Sequence, residues 1–189
     1  MAIFRKAIIL IGPIGAGKTT IGKMVAEKLS LTSFSLDDEK QLAASLGYDV
    51  ELYNQLLKHK GLHEAYEYRR SFYDRLVPLF LAAHDHGVLD FGGGHVIVPV
   101  SKKQETIKKA LEPYPHVFLL LPTPDVKESL KSLRTRNQLP DNLPDLNELY
   151  FRDGNRTFWE IAKHHIYTDG KTPAQTCLEI LEKLKNANN

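Results

Sequence analysis

The chain has 189 residues, 42% hydrophobic and 25% charged, a balance that excludes a disordered or membrane-embedded chain and fits one soluble α/β domain. A formal net charge of +2 excludes the broad basic surface that nucleic acid or an anionic membrane requires, though a local positive pocket for a small anion remains open. The single cysteine, Cys177, excludes an internal disulfide and agrees with a cytoplasmic setting; lying beside Leu178 and Leu181 in a helical pattern, it reads as a small core residue. The first six residues lack the apolar stretch of a signal peptide, and no later run is long enough to span a bilayer.

The first element is the isoleucine-rich run at residues 7–11, a strand buried on both faces. A glycine-rich turn leads to a helix over 18–29, with Ile21, Val25 and Leu29 on one face. Residues 31–36 form a second strand ending at Asp37 and Asp38, and 39–57 a helix broken near Gly47. Residues 61–83 make a long amphipathic helix bent at Pro78. A third strand at 88–91 runs into Gly92, Gly93 and Gly94. Ser101 and Gln104 match a capping box opening a helix to about 111. A fourth strand at 116–121 and a helix over 124–133 follow. The polar stretch 135–147 then reads as a mobile lid. A helix over 148–163, a short strand at 165–168 and a last helix from Pro173, capped by Thr172 and Gln175, complete the chain. The alternation predicts a five-stranded parallel sheet flanked by helices in three layers, in a single domain spanning residues 1–189.

The most specific signal is G-P-I-G-A-G-K-T at Gly12 to Thr19, between a buried strand and a helix. This is the P-loop pattern: glycines let successive backbone N–H groups turn inward around phosphate oxygens, and the helix start adds positive potential. Gly12, Ile14, Gly15, Ala16, Gly17, Lys18, Thr19 and Thr20 are therefore candidate ATP contacts. Lys18 reaches the β- and γ-phosphates, and the Thr19 hydroxyl is a candidate Mg²⁺ ligand. No asparagine is followed by lysine, which excludes the guanine-reading motif of switch GTPases.

Taken in order, the P-loop, F-S-L-D-D at residues 34–38, Y-E-Y-R-R at 66–70, V-L-D-F-G-G-G at 88–94 and F-W-E-I-A-K-H-H-I-Y-T-D at 158–169 resemble the shikimate kinase family, and the resemblance spans nearly the whole chain. It implies a P-loop kinase fold and ATP- and Mg²⁺-dependent phosphorylation of a small anionic metabolite, with shikimate the leading acceptor, by a monomer acting on small molecules alone. It aligns the family's aspartate at the attacking hydroxyl with Asp37, its substrate-binding arginine with the Arg69/Arg70 pair, and its substrate-touching glycines with Gly92 to Gly94. The chain departs from the pattern in three places. Ser35 stands where the family has a metal-shell aspartate. R-T-R-N-Q-L-P (134–140) replaces the usual lid motif, with Arg136 its approximate match. Gly154 occupies the place of another arginine, leaving Arg152 or Arg156 to substitute.

The residues themselves leave alternatives beside each role. Asp37 opens onto the ligand crevice at a strand end, or serves as a helix cap. Arg69 lies on an apolar stripe, where a substrate carboxylate or an internal acid would equally satisfy it. Arg70, one step round the helix, faces substrate or solvent. Gly92, Gly93 and Gly94 admit a ligand close to the backbone or form a plain turn. Asp90 is a metal-shell carboxylate or a structural cap. Arg134 and Arg136, assigned to the polar loop, clamp ATP as the lid closes or are solvated. His95, the His164–His165 pair, Trp159 and the Tyr66, Tyr68, Tyr73 set read as packing. Catalysis is thus expected of Lys18, Asp37 and Arg136. Substrate binding is expected of Asp37, Arg69, Arg70, the glycine triplet and Arg152, nucleotide binding of the P-loop with Arg134, and metal binding of Thr19 and Asp90. Kinases of other acceptors, among them nucleosides, nucleotides, sugar acids and antibiotics, and a non-catalytic ATP-binding switch remain the alternatives.

Overall fold

The computed structural model describes residues 6–98, 101–139 and 145–186. The amino-terminal isoleucine run becomes β1 (Ile8–Ile11), all four residues buried. It is flanked on both sides by parallel partners, β3 (Val88–Asp90) and β4 (Val117–Leu121), while β2 (Ser33–Ser35) extends the sheet beyond β3 and β5 (His164–Tyr167) beyond β4. The strand order is β2-β3-β1-β4-β5, every pairing parallel. Strands β1, β3 and β4 are buried at every position, as both alternating faces must be when helices cover the sheet on two sides. The expected five-stranded parallel α/β layer is therefore the one observed.

Because β1 has neighbours introduced in opposite directions, its carboxyl end opens at a topological switch point, the crevice where such sheets bind ligands. The register aligns Leu10 with Asp90, and Asp90 with Ser35, so three strand ends converge beneath that crevice.

Helix α1 (Lys18–Leu29) leaves the glycine turn and packs against the last helix. The expected break near Gly47 is present: α2 (Lys40–Ser45) and α3 (Val50–His59) flank a Gly47 with φ of 88°, and Asp49 caps α3 by accepting from the Glu51 and Leu52 amides. The long helix expected over 61–83 is two helices, α4 (Leu62–Arg70) and α5 (Tyr73–Ala83). The break falls at Ser71–Phe72, where Ser71 Oγ donates to the Tyr68 carbonyl at 2.7 Å, and Pro78 is accommodated inside α5.

Three further helices complete the described chain before the carboxy-terminal one: α6 (Ser101–Leu111), α7 (Val126–Arg136) and α8 (Leu146–Ile161). The capping box expected at Ser101 is not how Gln104 is used. Its side chain accepts from Val98 N at 2.8 Å and donates to the Val96 carbonyl at 2.9 Å, tying down the backbone after the glycine triplet. The box at the last helix, α9 (Pro173–Asn186), does form: Gln175 Oε1 accepts from Thr172 N, and Thr172 Oγ1 from Gln175 N. Arg134 and Arg136 lie on the last turn of α7 and not in a loop. Residues 140–144 of the expected lid lie outside the described residues. Among the described residues no helix is long and apolar enough to cross a membrane. Cys177 is buried in the core as expected, and burial pushes its thiol pKa up.

Candidate active site

The glycine turn after β1 is held open by conformations only glycine tolerates well. Gly15 has φ of 84°, and a Cβ there would collide with the Asn137 side chain. Ala16 is buried beneath the turn, while Thr19 and Thr20 on the first turn of α1 are exposed. Lys18 folds back, buried, and its Nζ donates to the Pro13 carbonyl at 2.9 Å, an end-to-end brace of the loop. Burial lowers the Lys18 pKa, opposed by the nearby carboxylates Asp90 and Asp37. Ile14 stands apart from the other loop amides: its N–H is directed to Asn147 Oδ1, at 2.8 Å.

At the end of β3, Asp90 is only 2% exposed. Its Oδ2 accepts from Thr19 Oγ1, while its Oδ1 has no hydrogen-bond partner among the described residues. Burial raises its pKa, with Lys18 and the Thr19 bond pulling the other way. An orphaned carboxylate oxygen beside a hydroxyl, next to a phosphate-binding turn, is the oxygen-rich, sparsely protein-liganded arrangement that suits Mg²⁺. Among the described residues no cluster of three or more His, Cys, Asp or Glu side chains could hold a metal ion.

Asp37 sits in the one-turn helix Leu36–Asp38 that follows β2. It does not cap α2, whose preceding residue is Glu39. Its Oδ1 accepts from Arg69 Nη2 at 2.5 Å, so the apolar-stripe arginine of α4 and the strand-end aspartate satisfy each other. Burial alone would raise the Asp37 pKa, but His95, Arg69 and Lys18 together hold it below the usual carboxylate range. His95 is buried, its Nε2 3.5 Å from Arg69 Nη2 and 3.8 Å from Asp37 Oδ1, its ring edge-on to Tyr73 at 4.6 Å. Burial drives its pKa down to about 3, so His95 is neutral at physiological pH and Arg69 with Lys18 then carry the positive charge around Asp37.

The glycine triplet is the floor between these two halves. A Cβ at Gly92 would strike the Asp37 carboxylate; one at Gly93 would lie 2.5 Å from Ile14 Cγ1 and 2.8 Å from Ile14 N; one at Gly94 would lie 2.5 Å from Tyr150 Cε1. The chain here must be glycine because P-loop, Asp37 and α8 all close onto it. Beside it opens a cavity of about 500 Å³ whose lining includes Asp37, Lys40, Tyr48, Arg69, Phe72 and His95.

Not every expected residue joins this assembly. Arg70 is not solvated: it is 4% exposed, its guanidinium stacked at 5.1 Å from the Tyr66 ring centroid and paired with Glu67, and it does not line the cavity. Arg136 donates to Thr168 Oγ1 at 2.9 Å and pairs with Asp169, at the end of β5, and Arg134 lies 3.8 Å from Glu148. Arg152 lines a separate cavity, with Lys60, His63 and Glu64 at the start of α4. The side chain of Arg156 lies outside the described residues. His95 and Asn147, read from sequence as packing and as part of a polar loop, are brought into the site. The one sequence signal for His95 was its position directly after the glycines.

A nucleotide-type turn at a switch point, a hydroxyl–carboxylate pair beside it and an aspartate lining a separate cavity define a P-loop phosphotransferase. Residues 14–185 match the family model described as Shikimate kinase. The shikimate kinase of Persephonella marina is 28% identical over 94% of this chain and 98% of its own length, and that of Enterococcus faecalis 29% identical over 95% and 99%. The structure of a shikimate kinase from Acinetobacter baumannii, in complex with shikimate, superposes with a TM-score of 0.64 at 21% identity, covering 96% of this chain and 94% of that one, which agrees in fold. The chain belongs to the shikimate kinase family.

Proposed function

We propose that the protein transfers the γ-phosphoryl group of ATP to a hydroxyl of shikimate, using Mg²⁺. Membership of the family supports the acceptor. The observation that carries the chemistry is the convergence of Lys18, the Thr19–Asp90 pair and the Asp37–Arg69 pair on the two sides of one glycine floor.

In this reading the amides of Gly15 to Thr19 and the Lys18 ammonium hold the phosphates and neutralise charge that grows on them. Thr19 and Asp90 would hold Mg²⁺, which supplies further charge neutralisation at the phosphates. Asp37 accepts a hydrogen bond from the acceptor hydroxyl and aims its oxygen at the γ-phosphorus. As that O–P bond forms and the bond to the ADP oxygen breaks, the hydroxyl proton passes toward Asp37. A carboxylate held below its ordinary pKa is a weak base, and a loose phosphoryl-transfer transition state asks for orientation more than for proton removal. Arg69 keeps further N–H groups beyond the one given to Asp37 and grips an acceptor carboxylate.

Coupled ADP release with Mg-ATP, with and without shikimate, tests this. Shikimate should stimulate release, and Asp37→Asn should lower kcat by about 10²- to 10⁴-fold while leaving ATP binding intact. No stimulation by shikimate would sink the acceptor assignment. One observation favours a second acceptor class on the same scaffold. The cavity, at about 500 Å³ and walled by Tyr48, Tyr53, Phe72 and Tyr73, falls in the range that takes a drug-sized ligand. Stimulation by a bulkier hydroxylated acid in place of shikimate would establish it.

A further inference from the structure

The loop between Gly12 and Gly15 contains one residue whose main chain is gripped from outside on both its polar groups. Asn147, 0% exposed on the first turn of α8, accepts from Ile14 N at 2.8 Å and donates from Nδ2 to Ile14 O at 3.1 Å. The primary amide thus binds both main-chain polar groups of Ile14 much as a neighbouring strand would. Asn137, just past the end of α7, donates to the same carbonyl at 3.2 Å and fills the space above Gly15. The Ile14 side chain in turn rests on Gly93, and Tyr150, three residues on from Asn147 and hence on the same face of α8, rests on Gly93 and Gly94.

We propose that Asn147 is a positioning residue for the nucleotide cradle: by fixing the Ile14 peptide it sets the direction in which the following amides, Gly15 to Thr19, present their N–H groups to phosphate. Pro13 offers no donor, so Ile14 supplies the next loop N–H after Gly12. With that N–H committed to Asn147, rotating this part of the turn would leave the buried Asn147 amide without its partners. Amides already aimed before ligand arrives bind charge without reorganising. The same helical face holds the glycine floor through Tyr150, so α8 keeps cradle and acceptor side at a fixed spacing.

This inference rests on Gly12 to Thr19 being a nucleotide cradle and is independent of the acceptor. The test is therefore direct: calorimetric binding of Mg-ADP to the full chain, with no acceptor present, for wild type, Asn147→Ala and Asn147→Asp. Asn147→Ala should weaken Mg-ADP binding about tenfold, equivalent to about 1.4 kcal/mol, and leave the acceptor KM within about twofold. Asn147→Asp keeps the acceptor for Ile14 N, loses the donor to Ile14 O and adds a negative charge near the phosphates, so it should bind at least as weakly. If Asn147→Ala fails to fold, Asn137→Ala, which removes the outer bond to the same carbonyl, should weaken binding about threefold. Variants that melt at lower temperature yet bind Mg-ADP as wild type does would overturn the proposal and leave Asn147 a structural residue. A wild-type chain that does not bind Mg-ADP would overturn the cradle reading itself.

Discussion

His95 gives the site a pH signature that stability measurements can isolate. The ring is buried against Tyr73, with Arg69 and Asp37 at its Nε2 and Lys18 nearby. Burial brings its pKa down to about 3, against an ordinary value of 6.5. The folded pKa lies below the unfolded one, so the unfolded chain takes up a proton that the folded chain refuses. The stability this represents is complete above the unfolded pKa and is lost progressively as pH falls from 6.5 toward about 3. Each pH unit inside that window costs about 1.4 kcal/mol. Going from about pH 7 to about pH 5 therefore removes about 2 kcal/mol, counting only the part of the interval below the unfolded value.

Urea unfolding at those two pH values reads this out, since about 2 kcal/mol moves the midpoint by about 1 M at an ordinary m-value. His116 and His164, whose pKa values are also lowered by burial, titrate in the same direction, so the wild-type slope alone does not single out His95. The double difference does: His95→Gln should lose less stability than wild type between about pH 7 and about pH 5, by about 2 kcal/mol, whatever its stability at neutral pH. Asp37 does not confound the interval. Its folded pKa lies below the ordinary 3.8, so its own contribution is intact at pH 5 and is lost only as pH falls further. A His95→Gln protein with the same pH slope as wild type would refute the claim that His95 is held neutral.

Asp90→Asn removes a buried charge whose pKa is raised by burial while keeping an oxygen for Thr19, so the ligand-free protein should melt at the same or a higher temperature while the Mg²⁺ needed for half-maximal turnover rises at least tenfold. Gly93→Ala places a methyl group 2.8 Å from Ile14 N; chemical denaturation should show a loss of about 1–3 kcal/mol, and nucleotide affinity should fall with it because the cradle must shift. Arg69→Lys keeps the charge beside Asp37 but not the planar fork, and steady-state kinetics should show the acceptor KM raised about tenfold or more with the KM for ATP unchanged.

What the sequence made legible is what local pattern determines. The isoleucine run, the glycine turn and the helix after it announce one another within twenty-two residues, and β1, the P-loop and α1 follow. The Gly47 break and the Thr172–Gln175 box are equally local. The division at Ser71 was not legible, because a serine hydroxyl bonding back to the Tyr68 carbonyl looks no different in sequence from a solvated one. The partners of His95 escaped for the opposite reason: Arg69 and Asp37 are set by which elements the fold brings together. Asn147 is the extreme case, its partner 133 positions away. In a polar stretch its composition says loop, yet the structure buries it completely, because a backbone that turns sharply under cover needs polar side chains to pair with.

The departure at Ser35 acquires a physical meaning from the register. Ser35 pairs with Asp90 across β2 and β3, so the position where the resemblance would have a second aspartate abuts the carboxylate that remains. Two carboxylates there would repel, and each would push the other's pKa up until a cation arrived. Asp90 alone is already raised by burial, restrained by Lys18 and Thr19. A serine beside it leaves Lys18 facing fewer acids and keeps Asp90 ionised more readily, but it gives a metal one fewer direct charge. On the proposed assignment this chain should therefore hold Mg²⁺ chiefly through the nucleotide's phosphates, and Ser35→Asp should tighten Mg²⁺ binding at the expense of the ligand-free protein's stability. Metal titration and melting of that variant read the two effects separately. Tighter metal binding with no loss of stability would mean that repulsion between the two carboxylates is not what limits the site.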